Sequence, residues 1–122
     1  MNSNELIRVR VHGAETTVTF SPDDINRTDT ARQISSDFGD WIEGTQYDDC
    51  PLDSVVLDFR EIDRIGSAGL NGLIGINSKA RSHGVRLILS NVQESVLDVF
   101  ALTRLERMFE FRTRDRGIVT FG

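Results

Sequence analysis

Two short segments near the start of the chain alternate between apolar and polar residues. The alternation runs through residues 7–12 and again through residues 17–20, with Gly13 between the two segments. A period of two is typical of β-strands that bury one face, and a glycine between two such segments indicates a turn. The pattern therefore predicts a pair of strands at the start of the chain.

Three longer segments have apolar residues three and four positions apart, which is the spacing of amphipathic helices. They cover residues 31–42, 67–83 and 92–100. We expect Gly44 to end the first of these helices and Asn91 to cap the third.

The second predicted helix contains three glycines, Gly69, Gly72 and Gly75, spaced three residues apart. Each glycine costs a helix about 1 kcal/mol relative to alanine. A helix tolerates such residues where its backbone must approach another element closely. We therefore expect this side of the helix to pack against the sheet.

Two further runs, residues 55–59 and 86–90, are apolar at most positions. Runs of this kind are typical of strands covered on both faces. Phe109 and Phe111 predict a last core strand, and residues 118–121 form either a further edge strand or a loose tail. The predicted order is ββαβαβαβ. Such repeats require right-handed crossovers, so the fold class is α/β, with a mixed, mostly parallel sheet and helices packed against it.

The length of the chain, 122 residues, predicts one domain over residues 1–122. Its core covers about residues 5–111, and residues 112–122 are the edge strand or tail. The apolar runs are far shorter than the roughly 20 residues that cross a bilayer. The N-terminus lacks the pattern of a secretory signal, and Cys50 is the only cysteine. We therefore expect a cytoplasmic protein without disulfides and without a membrane partner.

The charge is distributed unevenly. Residues 1–60 carry twelve acids and five arginines, a net charge of −7, whereas residues 61–122 carry seven acids and nine basic residues, a net charge of +2. The overall charge of −5 argues against a nucleic-acid partner, because binding to phosphates needs a positive surface. The basic cluster at residues 112–116 is short and contains an acid, so we interpret it as solvated surface.

The strongest candidate for function is the segment Ile-Gly-Ser-Ala-Gly-Leu at residues 65–70. It lies between a predicted buried strand and a predicted helix, where backbone N–H groups are free and the helix dipole is positive. Ser67 is suited there to carry a phosphate or to line a phosphate-binding loop. The alternative is that Ser67 only caps the helix.

Other arrangements of reactive residues receive little support from their spacing. The glycines run G-x-x-G-x-x-G instead of G-x-G-x-x-G, and the chain contains no P-loop sequence. His12 and His83 lack the spacing of metal ligands, and a lone cysteine such as Cys50 is usually inert. The segment Ser-Pro-Asp-Asp at residues 21–24 predicts a capped helix start in which Asp23 and Asp24 face the dipole. We predict no metal, no cofactor and no enzymatic activity.

Three stretches together resemble the STAS domain, the fold of bacterial anti-sigma factor antagonists. Residues 55–65, which begin Val-Val-Leu-Asp-Phe, resemble its central strand and switch loop. Residues 65–70 resemble the loop and helix start that follow, and residues 84–109 resemble its closing segments. The resemblance covers about residues 5–111 and rests on the three stretches taken together.

The resemblance implies a binding module that acts in transcription regulation. Members bind an anti-sigma factor, usually a serine kinase, and thereby release a sigma factor. The kinase phosphorylates a residue at the helix start and ejects the antagonist, and a phosphatase restores binding. Ser67 occupies that position. The implied partner-binding surface consists of two loops and a helix start: Asp23, Asp24, Asn26, Arg64, Gly66, Ser67, Ala68, Gly69 and Asn71.

Three positions depart from the family pattern. Gly66 stands in place of the aspartate before the phosphorylated residue, Ala68 in place of the serine or threonine after it, and Asn26 in place of an acid. Two alternatives therefore stay open. One is an unswitched adaptor or scaffold subunit of a regulatory or transporter complex, and the other is a nucleotide-binding protein or enzyme that uses the glycine-rich loop. The oligomeric state also stays open.

Overall fold

A six-stranded sheet forms the centre of the computed structural model, which describes residues 6–45, 52–113 and 117–120. The strands are β1 (Arg8–His12), β2 (Glu15–Thr19), β3 (Ser54–Asp58), β4 (Arg86–Ser90), β5 (Glu110–Thr113) and β6 (Gly117–Thr120). The helices are α1 (Pro22–Ile25), α2 (Thr28–Thr45), α3 (Ser67–Ser82) and α4 (Glu94–Thr103), and a 3₁₀ turn, Leu105–Met108, precedes β5.

The strands lie in the sheet in their order along the chain, from β1 to β6. β1 pairs antiparallel with β2, and β5 pairs antiparallel with β6, whereas β2, β3, β4 and β5 are parallel. The predicted α/β fold with a mixed, mostly parallel sheet is confirmed. The segment near residue 118 was predicted to be either an edge strand or a loose tail, and it forms the edge strand β6.

One face of the sheet carries the core. A row of paired residues, Val18, Leu57, Leu89 and Phe111, crosses four strands on this face, and each is at most 3 % exposed. These side chains join one apolar cluster with buried residues of the helices, Phe38, Leu73 and Phe100 among them. Such a cluster follows from the topology, because right-handed crossovers that always step in one direction bring their helices to one face.

The opposite face is buried in a different way. Val56 and Ile88 pair there and are only 3 % exposed each, but neither belongs to the apolar cluster that the helices join. Their row continues to Glu110, whose carboxylate accepts two hydrogen bonds from Arg86. This hydrogen bonding raises the pKa of the Arg86 guanidinium above its ordinary value. The burial predicted for both faces of β3 and β4 is present.

The helix α2 buries the side that its spacing predicts, and it extends slightly further than expected. Ala31, Ile34, Phe38 and Ile42 are buried. Gly44 lies inside the helix, which ends at Thr45, where the hydroxyl donates to the carbonyl of Ile42 at 2.7 Å. Within the described ranges, no helix combines the length and the apolar character that crossing a membrane requires.

Gly72 and Gly75 of α3 face α2, and Gly69 faces Ile65 and Asn26, so the predicted contact of these glycines with the sheet is wrong. A Cβ added at Gly72 would lie 3.3 Å from the Cβ of Ala31. The facing pairs run in the same direction along both helices: Ala31 with Gly72, Ser35 with Gly75, and Gly39 with Lys79. Small residues are needed here because the crossovers place two parallel helices side by side on one face, where their backbones approach closely.

Asn91 does not cap α4, contrary to the prediction. The helix has Gln93 at its N-cap, with no side-chain capping bond. Asn91 adopts a φ of 56°, and its Nδ2 donates to Oδ1 of Asp58 at 3.0 Å. Asparagine tolerates this left-handed conformation better than most residues. The carboxylate at the end of the neighbouring strand supplies an acceptor that the sequence around Asn91 does not indicate.

Candidate functional site

The candidate site lies at the edge of the sheet where the parallel strands β2 and β3 end. The chain leaves β2 through α1 and leaves β3 through residues 59–66, which lead into α3. The start of α1 is capped as predicted, since Ser21 Oγ accepts from the backbone N–H of Asp24 at 3.2 Å and Pro22 is the first helical residue. These two connections bring most of the predicted partner-binding residues together.

The side chain of Asn26 joins the two connections. Its Nδ2 donates to the carbonyl of Pro22 at 2.9 Å and to the carbonyl of Arg64 at 3.0 Å. Its Oδ1 accepts from the backbone N–H of Gly66 at 2.8 Å. We refer to these three hydrogen bonds as the Asn26 clamp. The clamp fixes the residues that immediately precede α3.

A second link between the connections is an ion pair at the surface. Arg64 Nη2 lies 3.6 Å from Asp23 Oδ1, and both side chains are largely exposed. Exposed pairs of this kind contribute between about 0 and 1 kcal/mol. Asp23 therefore lies beside Arg64 in the site but adds little to its rigidity.

Ser67 is the first residue of α3, and Gly66 is its N-cap. The interpretation of Ser67 as the helix cap is therefore wrong. Gly66 has an extended backbone, with φ −105°, and a Cβ at this position would have no atom closer than Asn26 Oδ1 at 3.9 Å. Ser67 is exposed, and within the described part of the chain its hydroxyl forms no hydrogen bond.

The positive end of α3 is not neutralised by its own sequence. The first turn contains no acid and the N-cap contributes no side-chain hydrogen bond. The first backbone N–H groups of a helix have no partner within the helix, and together they form its positive end. An anionic group on Ser67 would therefore meet a favourable local field.

A groove of about 380 Å³ between α2 and α3 begins at Ser67. Ala68 and Asn71 line it on one side, and Thr28 and Arg32 line it on the other. The contribution of α2 to the site was not predicted from the sequence. The small residues Ala31, Ser35 and Gly39, spaced four apart, are the signal that marks this side of α2 as facing another helix.

Asp24 belongs to a different surface. It lines a second groove, of about 480 Å³, together with Arg8, Arg10 and Arg60 on the side of β1 and β2. The structure therefore brings Asp23, Asn26, Arg64 and the start of α3 together, whereas Asp24 lines the second groove.

The described residues contain no group of three or more His, Cys, Asp or Glu side chains that could hold a metal ion. His12 lies in β1, and His83 follows α3, where its Nδ1 is 2.9 Å from the carbonyl of Lys79. Arg112, in the predicted basic cluster, has Nη1 2.8 Å from Oε1 of Glu15. Cys50 and residues 114–116 lie outside the described residues.

Comparison with known families gives a match that covers most of the chain. The model of the STAS domain matches residues 12–116. This match includes both connections of the site and all of α3. It agrees with the resemblance of the sequence to that family.

Comparison with solved structures gives similar folds at low sequence identity. The chain resembles the crystal structure of the Thermotoga maritima protein TM1081, for which a role as anti-sigma factor antagonist has been suggested. The TM-score is 0.66 at 18 % identity over 86 % of this chain and 84 % of that one. The NMR structure of TM1081 gives 0.70 at 18 % identity over 91 % and 83 %. An anti-sigma-factor antagonist (STAS) domain protein from Planctomyces limnophilus gives 0.62 at 19 % identity over 86 % and 87 %. These likenesses show a shared fold.

Proposed function

The chain belongs to the STAS domain family, and we propose that it is a cytoplasmic binding module of the anti-sigma factor antagonist type. Its partner is an anti-sigma factor with serine kinase activity, and phosphorylation of Ser67 switches the binding off. One observation carries the proposal. Ser67 is exposed at the first position of α3, directly after a segment that the Asn26 clamp holds in place.

The proposed switch follows from the charge of a phosphate. At the start of α3 an anion is stabilised by about 0.3–1 kcal/mol, so the modified domain keeps its fold. The same phosphate adds nearly two negative charges to an exposed surface. A partner surface that fits the neutral serine is then repelled, and a phosphatase that removes the phosphate restores the contact.

The arrangement of the sheet supports binding over catalysis. Ligand crevices in open α/β sheets form where the strand order reverses, and the described strands run from β1 to β6 without reversal. A catalytic serine also needs a base within hydrogen-bond distance, whereas no described side chain bonds to the hydroxyl of Ser67. We therefore infer a protein without enzymatic activity or a cofactor.

A second candidate function is an adaptor with the same binding surface and no switch. The observation that favours it is the chemistry around Ser67, since Gly66 and Ala68 carry no carboxylate or hydroxyl. Asp23, an acid of the first connection, is paired with Arg64. An adaptor of this kind would bind its partner in the same way under all conditions.

The test is an affinity capture from the host cytoplasm with four baits, followed by mass spectrometry. The baits are the wild type, Ser67→Asp, Ser67→Ala and Ser78→Asp. Ser78 is exposed on the same helix, so Ser78→Asp introduces the same charge away from the proposed surface. We expect all baits except Ser67→Asp to capture an anti-sigma factor kinase, and Ser67→Asp to capture at least tenfold less.

The other outcomes separate the two candidates. Equal capture of the anti-sigma factor by all four baits would favour the unswitched adaptor. Failure of every bait to capture an anti-sigma factor would refute the antagonist function. Incubation of the wild type with the captured kinase and ATP, followed by peptide mapping, tests directly whether Ser67 receives the phosphate.

A further inference from the structure

The amide of Asn26 uses both of its polar atoms on backbone groups. The nitrogen donates within its own connection, to Pro22, and across to Arg64, which lies 38 residues further along the chain. The oxygen accepts from Gly66, 40 residues away. Asn26 is partly buried, as is its hydrogen bond to Pro22, whereas its hydrogen bonds to Arg64 and Gly66 are exposed. The backbone before α3 thus takes its position from one side chain on another connection.

We propose that Asn26 is the positioning residue of the binding surface, and that the site requires an amide at this position. The side chain holds residues 64–66 in the conformation that presents Ser67 to the partner. This inference rests on the proposed function, which supplies the identity of the partner. The conformation of residues 64–66 can nevertheless be measured without any partner present. It also gives a reason for the departure at position 26, where the family pattern has an acid.

A carboxylate at position 26 cannot make the same contacts. It would accept from the N–H of Gly66, but it has no hydrogen to donate to the carbonyls of Pro22 and Arg64. Its negative oxygen would instead lie about 3 Å from two carbonyl oxygens, at the distances that the amide nitrogen now occupies. Those two carbonyls would lose their partner, and the segment before α3 would move away from the acid.

Two glycines provide the space and the donor that the clamp needs. A Cβ at Gly69 would lie 3.1 Å from Asn26 Oδ1 and 2.6 Å from Ile65 Cγ1, so a side chain there would push against the clamp. Gly66 supplies the N–H that Asn26 accepts. Gly66 and Asn26 therefore depart from the family pattern at two positions that are in direct contact, and the hydrogen bond between them involves no carboxylate.

The test uses amide hydrogen exchange, measured by NMR on the full chain. The variants are Asn26→Asp, Asn26→Ala and, as the matched control, Asn71→Asp. Asn71 is exposed on the first turns of α3, so this control introduces the same charge close to Ser67 without touching the clamp. We expect the Gly66 amide to exchange roughly tenfold faster in Asn26→Ala, where its acceptor is gone. We also expect faster exchange of this amide in Asn26→Asp, where repulsion by the carbonyls of Pro22 and Arg64 moves the segment away from the carboxylate. In Asn71→Asp its exchange stays within about twofold of the wild type.

A pH profile distinguishes positioning from a general loss of stability. In Asn26→Asp the chemical shift of the Gly66 amide should follow the titration of the new carboxyl group, because the protonated acid regains one O–H donor. In Asn71→Asp the same resonance should not respond to the new carboxyl. A Gly66 amide that exchanges and titrates alike in Asn26→Asp and Asn71→Asp would overturn the proposal.

The same variants then serve as baits for the anti-sigma factor captured by the wild type. We expect Asn26→Asp to capture roughly tenfold less than Ser78→Asp, which adds a charge away from the proposed surface, at a temperature where both are folded. Faster exchange at Gly66 with unchanged capture would refute the role in binding. If even the wild type captures no anti-sigma factor, the proposed function fails, and the exchange data alone decide whether Asn26 positions the loop.

Discussion

The two helices that begin at the candidate site begin in opposite ways. α1 takes its cap from the adjacent Ser21, has proline at its first position, and carries two acids in its first turn. α3 has a glycine at its N-cap, no side-chain capping bond and no acid in its first turn. What holds the start of α3 comes from Asn26, which is 40 residues away from Gly66 along the chain.

The comparison indicates which of the two helix starts has polar groups left to interact with a partner. The start of α1 satisfies its own backbone and dipole, so it offers little to a partner. The start of α3 leaves its positive end and an exposed hydroxyl at the surface, on a backbone fixed from outside the helix. A binding surface that responds to one added charge is expected at the second kind of helix start, because the field there is not yet neutralised.

The largest effect is expected from removing the space beneath the clamp. Gly69→Ala places a Cβ 2.6 Å from Ile65 Cγ1, and the buried Ile65 must move. We expect the free energy of unfolding to fall by about 2 kcal/mol in urea titrations. The control is Gly44→Ala, where no atom lies within 4 Å and alanine favours the helix. Equal stability of the two variants would show that the start of α3 does not depend on close packing.

The next largest effect is expected from a comparison of Ser21 and Ser67, the serines at the starts of α1 and α3. Ser21→Ala removes the cap of α1 and should lower the free energy of unfolding by about 1 kcal/mol. Ser67→Ala removes a hydroxyl without a described partner and should change it by less than about 0.5 kcal/mol. Thermal and urea unfolding of both variants measure the difference. A loss of the same size in both variants would mean that Ser67 also caps its helix.

A smaller effect is expected from giving α3 the kind of start that α1 has. Gly66 has extended backbone and room for a Cβ, so Gly66→Asp should be accommodated and should stabilise the protein by about 0.5 kcal/mol. Gly66→Asn is the neutral control. The advantage of Asp over Asn should shrink when urea titrations are repeated in 1 M salt, because screening weakens the interaction with the dipole. A destabilised Gly66→Asp would show that the clamp excludes a side chain here.

The smallest effect concerns the ion pair between the two connections. Arg64 and Asp23 are 3.6 Å apart and largely exposed, so Arg64→Ala should change stability by less than about 0.5 kcal/mol. A double-mutant cycle with Asp23→Ala measures the coupling between the two residues. A coupling above about 1 kcal/mol would place the ion pair beside Asn26 as a structural link.

Much of the fold can be predicted from periodicity. The alternation in residues 7–12 marks β1, but the burial of one face that it predicts is wrong, since all five residues of this strand are exposed. The spacing of Ala31, Ile34, Phe38 and Ile42 marks the buried side of α2, because a helix with one buried side repeats its apolar residues at its own period. The glycines of α3 were harder to interpret, since their spacing shows that something approaches closely but does not show whether it is a strand or a helix.

In the candidate site, too, some roles follow from neighbouring residues in the sequence and others do not. Ser21 and Asp23 were predictable because a cap and a dipole partner act within a few residues of their position. The roles of Asn26 and Asn91 were not predictable, because their partners, Gly66 and Asp58, are distant in sequence and close only in the fold.

By itself, the sequence determined the order of strands and helices, the buried side of α2 and the capped start of α1. Each of these depends on residues that lie within a few positions of one another. Only the tertiary structure decided that Gly72 and Gly75 meet α2, and that Asn26 holds the backbone before Ser67. Both depend on contacts between residues about 40 positions apart, which form only when parallel strands and their crossovers bring two connections to one edge of the sheet.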